Sequence, residues 1–311
     1  MEKKKGSSTK KEALKIIACC LFFSIGTTSS VCTQNSEYLN QKPPGFVPKI
    51  FAPGLISIAN ESEFGSVFNK DATEFYYGVD RDGKSEIRFT RLVDTTWKAP
   101  KTLLSHEKYS CNDPFLSPDE NRLYFISNRS LNGADSKADY DIWYIEREAN
   151  GWSTQMHNAG PNINSSKNEY YISFTKEGSM YFSTNVMATG GNSRDFDINV
   201  SEFINDKYQK SFPLSDSINT KAYEADVFVA PDASYLIFCA IRKEGFGQGD
   251  LYISFKDDKG NWSKAKNMGA LINTAGHELC PFVTKDGKYF FYTSNRDIYW
   301  VDATIIHTLR D

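Results

Sequence analysis

The chain has 311 residues, carries a formal net charge of −3 and is 14% aromatic. This length can bury one large core or two smaller ones. The acidic balance argues against a nucleic-acid partner, because such a chain cannot supply the cations that neutralise phosphates.

The first residues are typical of a secretory signal peptide. Residues 1–15 hold six Lys and two Glu, the apolar run IIACCLFFSI follows at 16–25, and small polar residues occupy 26–30. These are the three parts of such a signal, and the apolar run is too short to span a bilayer. The alternative is a disordered basic tail beside a buried segment. We predict a signal peptide at 1–31, a linker at 32–45 and one domain at 46–311.

The cysteines leave one modification and one cross-link open. Cys32 lies just beyond the apolar run, where a bacterial lipoprotein carries its acylated cysteine, but Val31 stands where a small residue is expected. Lipidation and a free N-terminus are therefore alternatives, and a lipid anchor would be the chain's one attachment to a membrane. Cys239 and Cys280 lie in strand-like runs, so buried thiols are the default interpretation and spacing alone does not establish a disulfide.

A seven-residue phrase recurs down the chain. It reads Ile-Asn-Ser/Thr, three free positions and Glu, and it occupies 163–169, 218–224 and 272–278, so its copies start 55 and 54 residues apart. After the Glu come a short apolar strand, a turn such as SPDE or TKDG, an aromatic second strand and a third strand usually opened by Asp. A fourth strand then leads into the next phrase. The unit is therefore four short strands, used five times.

Four strands per repeat form the blade of a β-propeller. The last unit ends near DIYWVDATIIHTL without a fourth strand, whereas FVPKIFAPGLIS at 46–57 precedes the first unit, where a fourth strand belongs. We predict an all-β chain with a single propeller of five four-stranded blades, with six as the alternative count. An N-terminal strand should complete the C-terminal blade and so remove a free sheet edge.

The stretches SPDENRLYFISNR…DIWYIER and TKDGKYFFYTSNRDIYWVDA resemble the WD40-like β-propeller repeat of the TolB type. The resemblance covers nearly all of the chain after the signal, and its motifs are specific for fold rather than for activity. Blade one departs most from the pattern, and blade three has Val186 where an Arg would follow Asn185. Such repeats are common in exported bacterial proteins, so the resemblance implies a role at the bacterial cell envelope.

Propeller geometry places the repeated phrase on one face, beside the loops that join second and third strands. The predicted channel-mouth residues are Glu63, Glu169, Glu224, Glu278, His277, Arg129, Arg242 and Arg296, with Cys111 at the Glu position of blade two. Under one interpretation the Glu and Arg side chains pair and fix the blade register. Under the other, some of them face a ligand in the mouth, since clefts at such rings are common binding sites.

Signals for catalysis are weak. No two of the four His share metal-ligand spacing, and the chain has neither a phosphate-binding loop nor a Gly-x-Ser-x-Gly elbow. We therefore predict no cofactor, no metal and no catalytic residue, with His277 beside Glu278 as the best single candidate for a direct role. Glycoside hydrolases on five-bladed propellers use paired carboxylates, but these come from different positions of different blades. A Glu that recurs at one position of the repeat instead favours a structural role.

The leading hypothesis is a non-catalytic exported propeller that binds a protein, peptide or glycan partner at the cell envelope through its channel face. The alternative is a carbohydrate-active enzyme, a glycoside hydrolase or lyase, that uses mouth carboxylates. Two carboxylates in an open site with aromatics nearby would favour the enzyme, and a mouth closed by Glu–Arg pairs would favour the scaffold.

Overall fold

The computed structural model describes residues 1–2, 37–187 and 195–310. The chain divides into two units, Met1–Gln34 and Asn35–Asp311, and the fold below is that of the second unit. The predicted signal peptide from residue 3 onward and Cys32 lie outside the described residues.

The second unit is an all-β propeller of five four-stranded antiparallel blades, which confirms the predicted fold. Blade 1 consists of Ser62–Phe68, Glu74–Arg81, Lys84–Val93 and Lys101–Leu104. Blade 2 consists of Cys111–Leu116, Arg122–Arg129, Ser136–Glu148 and His157–Asn158. Blade 3 consists of Glu169–Phe174, Met180–Thr184, Asp197–Ser201 and Phe212–Pro213. Blade 4 consists of Tyr223–Val229, Tyr235–Ile241, Asp250–Phe255 and Lys266–Asn267. Blade 5 consists of Leu279–Val283, Tyr289–Ser294, Asp297–Asp302 and Lys49–Ile50.

Short elements extend the blades at their outer edges. Thr96–Trp97 pairs with the third strand of blade 1, Gly151–Trp152 pairs with that of blade 2, and Phe203–Ile204 forms a hairpin with Lys207–Tyr208. Two 3-10 helices flank the ring, at Tyr38–Asn40 and Ala303–Leu309. Within the described part of the chain, none of the helices has the length and apolar character needed to cross a membrane.

The N-terminal strand closes the ring, as predicted. Lys49 lies opposite Trp300 and Ile50 opposite Tyr299, and this short pairing completes the fourth place in blade 5. The next residue, Phe51, is 0% exposed. Its ring contacts Phe68 of blade 1 at 5.8 Å and Phe291 of blade 5 at 5.0 Å between centroids. The closing segment therefore packs against both sides of the seam between the first and last blades.

Tyr38, within the predicted linker, also packs against the ring. Its ring lies 5.1 Å from that of Phe68 and 4.8 Å from that of Tyr289, and its hydroxyl donates to Asp286 Oδ2 at 2.8 Å. Asp286 belongs to the turn between the first and second strands of blade 5. The chain is thus fixed to the ring eleven residues before the closing strand begins at Lys49.

Aromatic residues of the second strands form the bulk of the core. Each second strand contributes a Phe with 0% exposure: Phe75, Phe125, Phe182, Phe238 and Phe291. Aromatic and β-branched side chains suit such strands because they fill the space between pleated surfaces. The first strand of every blade lies innermost and faces the central channel, so its two ends define the two mouths of that channel.

Candidate ligand-binding site at the channel mouth

The repeated phrase joins each blade to the preceding one through hydrogen bonds. In the phrase that opens blade 3, Ile163 is buried and Asn164 pairs with the third strand of blade 2, accepting from Ile142 N at 2.8 Å and donating to Ile142 O at 2.9 Å. Asn219 makes the same two bonds to Ile198, and Asn273 makes them to Leu251. The Asn side chain therefore continues a β-ladder across the blade junction.

The Glu of the phrase accepts hydrogen bonds from the phrase's own Ser or Thr. Glu169 accepts from Ser165 N at 3.1 Å and from Ser165 Oγ at 2.6 Å. Thr220 bonds Glu224 in the same way, at 2.9 and 2.8 Å, and Thr274 bonds Glu278 at 3.0 and 2.7 Å. These carboxylates are all 0% exposed. Three ring carboxylates are thus engaged by their own loops and do not face the open mouth.

Glu63 occupies the same position in blade 1 with fewer partners. It is 0% exposed and accepts from Ile58 N at 3.1 Å, while its Oε2 is buried without a hydrogen bond among the described residues. Burial raises the pKa of Glu63 to about 7, and it raises the pKa of Glu169 to about 7 as well. Blade one lacks the full phrase, and its ring carboxylate is correspondingly less well satisfied.

The three predicted arginines have three different environments. Arg242 pairs with Glu224 at 3.3 Å and lies over the Tyr252 ring at 4.5 Å. Arg129 lies over the Trp143 ring at 4.8 Å. Arg296 is exposed, with a φ of 75°. Among the described residues neither Arg129 nor Arg296 forms an ion pair, so a Glu–Arg pair is found at blade 4 rather than at every blade.

His277 contacts a buried thiol. Its Nε2 lies 3.3 Å from Cys239 Sγ. Burial lowers the pKa of His277 and raises that of Cys239 well above its usual value, so both groups are neutral at pH 7. A reactive Cys–His pair needs a thiolate, which this environment disfavours. Cys239 and Cys280 are both free thiols.

The side chains that do converge on the channel axis belong to a position two residues after the ring Glu. Each first strand contains an irregularity in its pairing with the second strand, and one residue there adopts a positive φ. These residues are Gly65 (57°), Asp113 (48°), Tyr171 (44°), Asp226 (52°) and Cys280 (53°). A left-handed conformation costs roughly 1–2 kcal/mol for a residue other than Gly. Such strain is concentrated at functional sites.

Contacts across the axis show that these residues meet. Asp113 Oδ1 of blade 2 lies 3.8 Å from Cys280 Sγ of blade 5. Between them, Gly65 of blade 1 leaves the space that Asp113 fills, because a Cβ there would lie 2.7 Å from Asp113 Oδ1. The Tyr171 hydroxyl of blade 3 donates to Pro281 O of blade 5 at 2.9 Å. Together these groups form a floor across the channel.

Two carboxylates of this floor have no cationic partner among the described residues. Burial raises the pKa of Asp113 well above its usual range, and the Asp226 carboxylate raises it further. Burial also raises the pKa of Asp226, to about 7. Asp113 is 7% exposed and Asp226 is half-buried.

An arc of aromatic side chains surrounds the mouth above this floor. Neighbouring ring centroids are 5.3 Å apart for Tyr140 and Tyr170, 5.4 Å for Tyr170 and Phe196, 5.8 Å for Phe196 and Tyr223, and 6.5 Å for Tyr223 and His277. The arc runs from blade 2 to blade 5. Burial raises the pKa of Tyr223, and the Asp226 carboxylate raises it further. The Tyr223 hydroxyl therefore interacts electrostatically with the floor. Within the described residues, no group of three or more His, Cys, Asp or Glu is arranged to hold a metal ion.

Comparisons with solved structures identify propellers of several functions. TolB from Acinetobacter baumannii is 15% identical, with a TM-score of 0.47 over 77% of this chain and 54% of that one, so the match takes in about half of that protein. A thermostable family-43 glycoside hydrolase is 13% identical, with a TM-score of 0.50 over 78% of this chain and 89% of that one. Hydrazine synthase from Kuenenia stuttgartiensis is 12% identical, with a TM-score of 0.50 over 76% and 36%. No protein-family model and no curated protein sequence matches the chain. The chain is therefore similar to β-propellers, TolB among them, and at these identities the likeness shows the fold alone.

Proposed function

We propose that this chain is an exported, non-catalytic propeller of the WD40-like TolB type that binds a protein, peptide or glycan partner at the bacterial cell envelope through its channel face. The observation that carries the proposal is the pair of carboxylates, Asp113 and Asp226, that lie beneath the aromatic arc without a cationic partner among the described residues. Buried carboxylates without a cation destabilise a folded chain, and a ligand that donates hydrogen bonds or positive charge would relieve that cost.

The shape of the mouth supports a partner that inserts a small polar group. The half-buried rings of Tyr140, Tyr170 and Tyr223 offer some apolar surface to a sugar ring or a side chain, and they also carry hydroxyls. Exposed apolar residues lie in the loops of the same face: Leu131 at 73%, Met187 at 62% and Phe246 at 50% exposure. A partner larger than the mouth would contact these loops while its tip reached the floor.

Binding of the chain to glycan arrays and to envelope extracts tests the proposal. Asp226→Asn and Tyr223→Ala should reduce binding of the captured partner at least tenfold, while the folded state is retained. Asp258→Asn is the matched control, because Asp258 is an exposed carboxylate in the hairpin between the third and fourth strands of blade 4. Unchanged affinity in both mouth variants would show that the partner binds elsewhere.

The carbohydrate-active enzyme is the second candidate, and one observation favours it. Two carboxyl groups at one site with raised pKa values supply the proton donor that glycoside hydrolysis requires. A panel of chromogenic glycosides measures this directly. Turnover that is abolished by Asp226→Asn and retained by Asp258→Asn would establish an enzyme, and absence of turnover across the panel would favour the binding protein.

A further inference from the structure

The opposite end of the channel contains an apolar cavity that is separate from the carboxylate floor. It has a volume of about 190 Å³. First strands of all five blades contribute to its wall, through Val67, Phe115, Phe174, Phe228 and Phe282. The turns between first and second strands form its outer end. The cavity therefore lies on the propeller axis, on the face away from the repeated phrase.

Packing holds this cavity open. The centroid of Phe115 is 6.0 Å from that of Phe174 and 5.9 Å from that of Phe282, and Phe228 is 6.1 Å from Phe282. The rings thus contact one another around the axis instead of filling it. Each is at most 7% exposed, so each is fixed by its neighbours and is not free to collapse inward.

An apolar cavity of this size is suited to a hydrocarbon group rather than to water. A cavity of about 150 Å³ lined by Leu, Ile and Phe stays dry and takes up benzene. The five first-strand residues named above are Val and Phe, and the polar lining residues, Thr175, Lys176 and Lys285, lie in the turns at the outer end. A phenyl ring or a short aliphatic chain fits the volume and the chemistry.

Charged groups are confined to the rim. Pro118, Lys176, Pro231 and Lys285 are the exposed residues at the outer end, and the lysines are the charged members of the lining. Lys285 Nζ reaches Glu120 Oε1 of blade 2 at 3.1 Å. Lys176 Nζ lies 3.6 Å from Glu177 Oε1, with side-chain exposures of 67% and 64%. An exposed pair of this kind is weak. Lys176 also contributes to the lowered pKa of Asp232, so an anion at the rim would compete with two exposed carboxylates for this ammonium.

We propose that this cavity binds a small apolar carboxylate, whose hydrocarbon part fills the Phe-lined space and whose carboxylate is met by Lys176 at the rim. This site is independent of the mouth and of the partner proposed for it. The ligand class follows from the two features together, because an apolar interior selects the hydrocarbon and the exposed Lys176 ammonium at the rim favours an anion.

Calorimetric titration of the full chain with three matched probes tests the proposal. The probes are 3-phenylpropionate, its neutral amide and the cation phenethylamine, which share a phenyl group on a short chain and differ in charge. We expect the carboxylate to bind at least fivefold more tightly than the amide, and the amine to bind most weakly. Equal affinities for carboxylate and amide, or no heat of binding at millimolar carboxylate, would overturn the proposal.

Two variants separate the interior from the rim. Lys176→Ala should bring carboxylate affinity down to that of the amide, whereas Lys221→Ala, an exposed lysine on the mouth face, should leave it unchanged. Val67→Phe should fill the cavity and abolish binding of every probe. If Val67→Phe fails to fold, the Lys176→Ala comparison still decides, because that side chain is exposed. Asp226→Asn should have no effect here, so failure at this site and failure of the mouth proposal are distinguishable.

Discussion

The two ends of the channel use the same five strands for opposite purposes. Near the mouth, the first strands present Asp113 and Asp226 beneath aromatic rings. Toward the other face, residues two to three positions further along the same strands are apolar, and the lysines beside them are paired with glutamates. One end holds carboxyl groups with no cationic partner among the described residues, and the other is apolar with Lys–Glu pairs at its rim.

The difference arises from one local irregularity. Within a regular strand, side chains alternate between two faces, and both faces of a propeller blade are covered by neighbouring blades. The positive φ in each first strand breaks that alternation and turns one side chain toward the axis. The residue at that single position varies from blade to blade, whereas the Glu two residues earlier recurs in four of the five blades. The repeated residue supports the ring, and the variable one gives the mouth its chemistry.

The largest expected effect on stability comes from the seam between blades 1 and 5, because both ends of the channel depend on a closed ring. Phe51→Ala should lower the free energy of unfolding by about 3–5 kcal/mol, because it removes a fully buried ring between blades 1 and 5. Urea denaturation measures this. Phe46→Ala is the matched control, since Phe46 is 65% exposed and should change stability by no more than about 0.5 kcal/mol. Similar losses in the two variants would contradict closure through Phe51.

The next comparison uses two acidic residues that lie two positions apart in blade 4. Glu224→Gln should cost about 1–3 kcal/mol, because the carboxylate accepts from Thr220 and Arg242 in a buried site. Asp226→Asn should leave stability unchanged or raise it, because it removes a carboxyl group whose ionised form is disfavoured by burial and has no cationic partner among the described residues. Denaturation at pH 7 gives both values. Equal destabilisation by the two substitutions would mean that Asp226 also has a structural role.

Stability should fall as pH rises from about 4 to 7. The folded pKa values of Glu63, Glu169 and Asp226 are raised to about 7, while unfolded carboxyls titrate near pH 4. The folded chain therefore binds more protons in that window, which lowers stability as pH increases. His277 opposes this trend, since its lowered pKa favours folding as pH rises through its titration. Carboxyls with lowered folded pKa values, such as Glu61 and Asp286, oppose it at the acid end of the window, whereas the raised pKa values of Asp113 and Glu224 reinforce it. Melting temperatures from pH 4.5 to 8 test the slope, which should be shallower in Asp226→Asn.

The smallest effect distinguishes two arginines that sequence reasoning treated alike. Arg296→Ala should change stability by no more than about 0.5 kcal/mol, because its side chain is exposed and has no ion pair among the described residues. Arg242→Ala should cost more, because it leaves Glu224 without its one charged partner. Thermal melting of both variants compares them, and a larger loss for Arg296→Ala would show that the mouth is arranged differently.

The ring and its closure could be predicted because the regular spacing of the repeat indicates both the number of blades and the strand that the last blade lacks. Turn residues, aromatic strands and a missing fourth strand at one end are all local patterns. The arginines were harder, because their positions depend on loop length. Arg296 and Asn295 form a two-residue hairpin turn in which both have positive φ, so Arg296 projects outward. Arg129 ends a longer strand and lies over Trp143 instead.

The channel floor could not be predicted from composition or periodicity. Tyr and Cys rarely adopt a left-handed conformation, and although Gly and Asp do so more readily, they are too common in turns to mark this position. The pairing irregularity has no fixed sequence. One signal was available once the repeats were aligned. The position two after the Glu carries Gly65, Asp113, Tyr171, Asp226 and Cys280, five residues of different kinds in units that are otherwise alike. Variation at one position of a repeat is the pattern expected where a site has been built on a scaffold.

The attachment of Tyr38 has a mechanical consequence. The closing strand Lys49–Ile50 is two residues long, so a tension on it would peel it from blade 5 one hydrogen bond at a time. Tyr38 lies ahead of that strand and is anchored to Asp286, Phe68 and Tyr289. A force applied to the chain before residue 37 would load this anchor first and reach the seam afterwards. Tyr38 therefore shields the closing strand from a force applied on its N-terminal side, so that the chain can be pulled there without opening the ring.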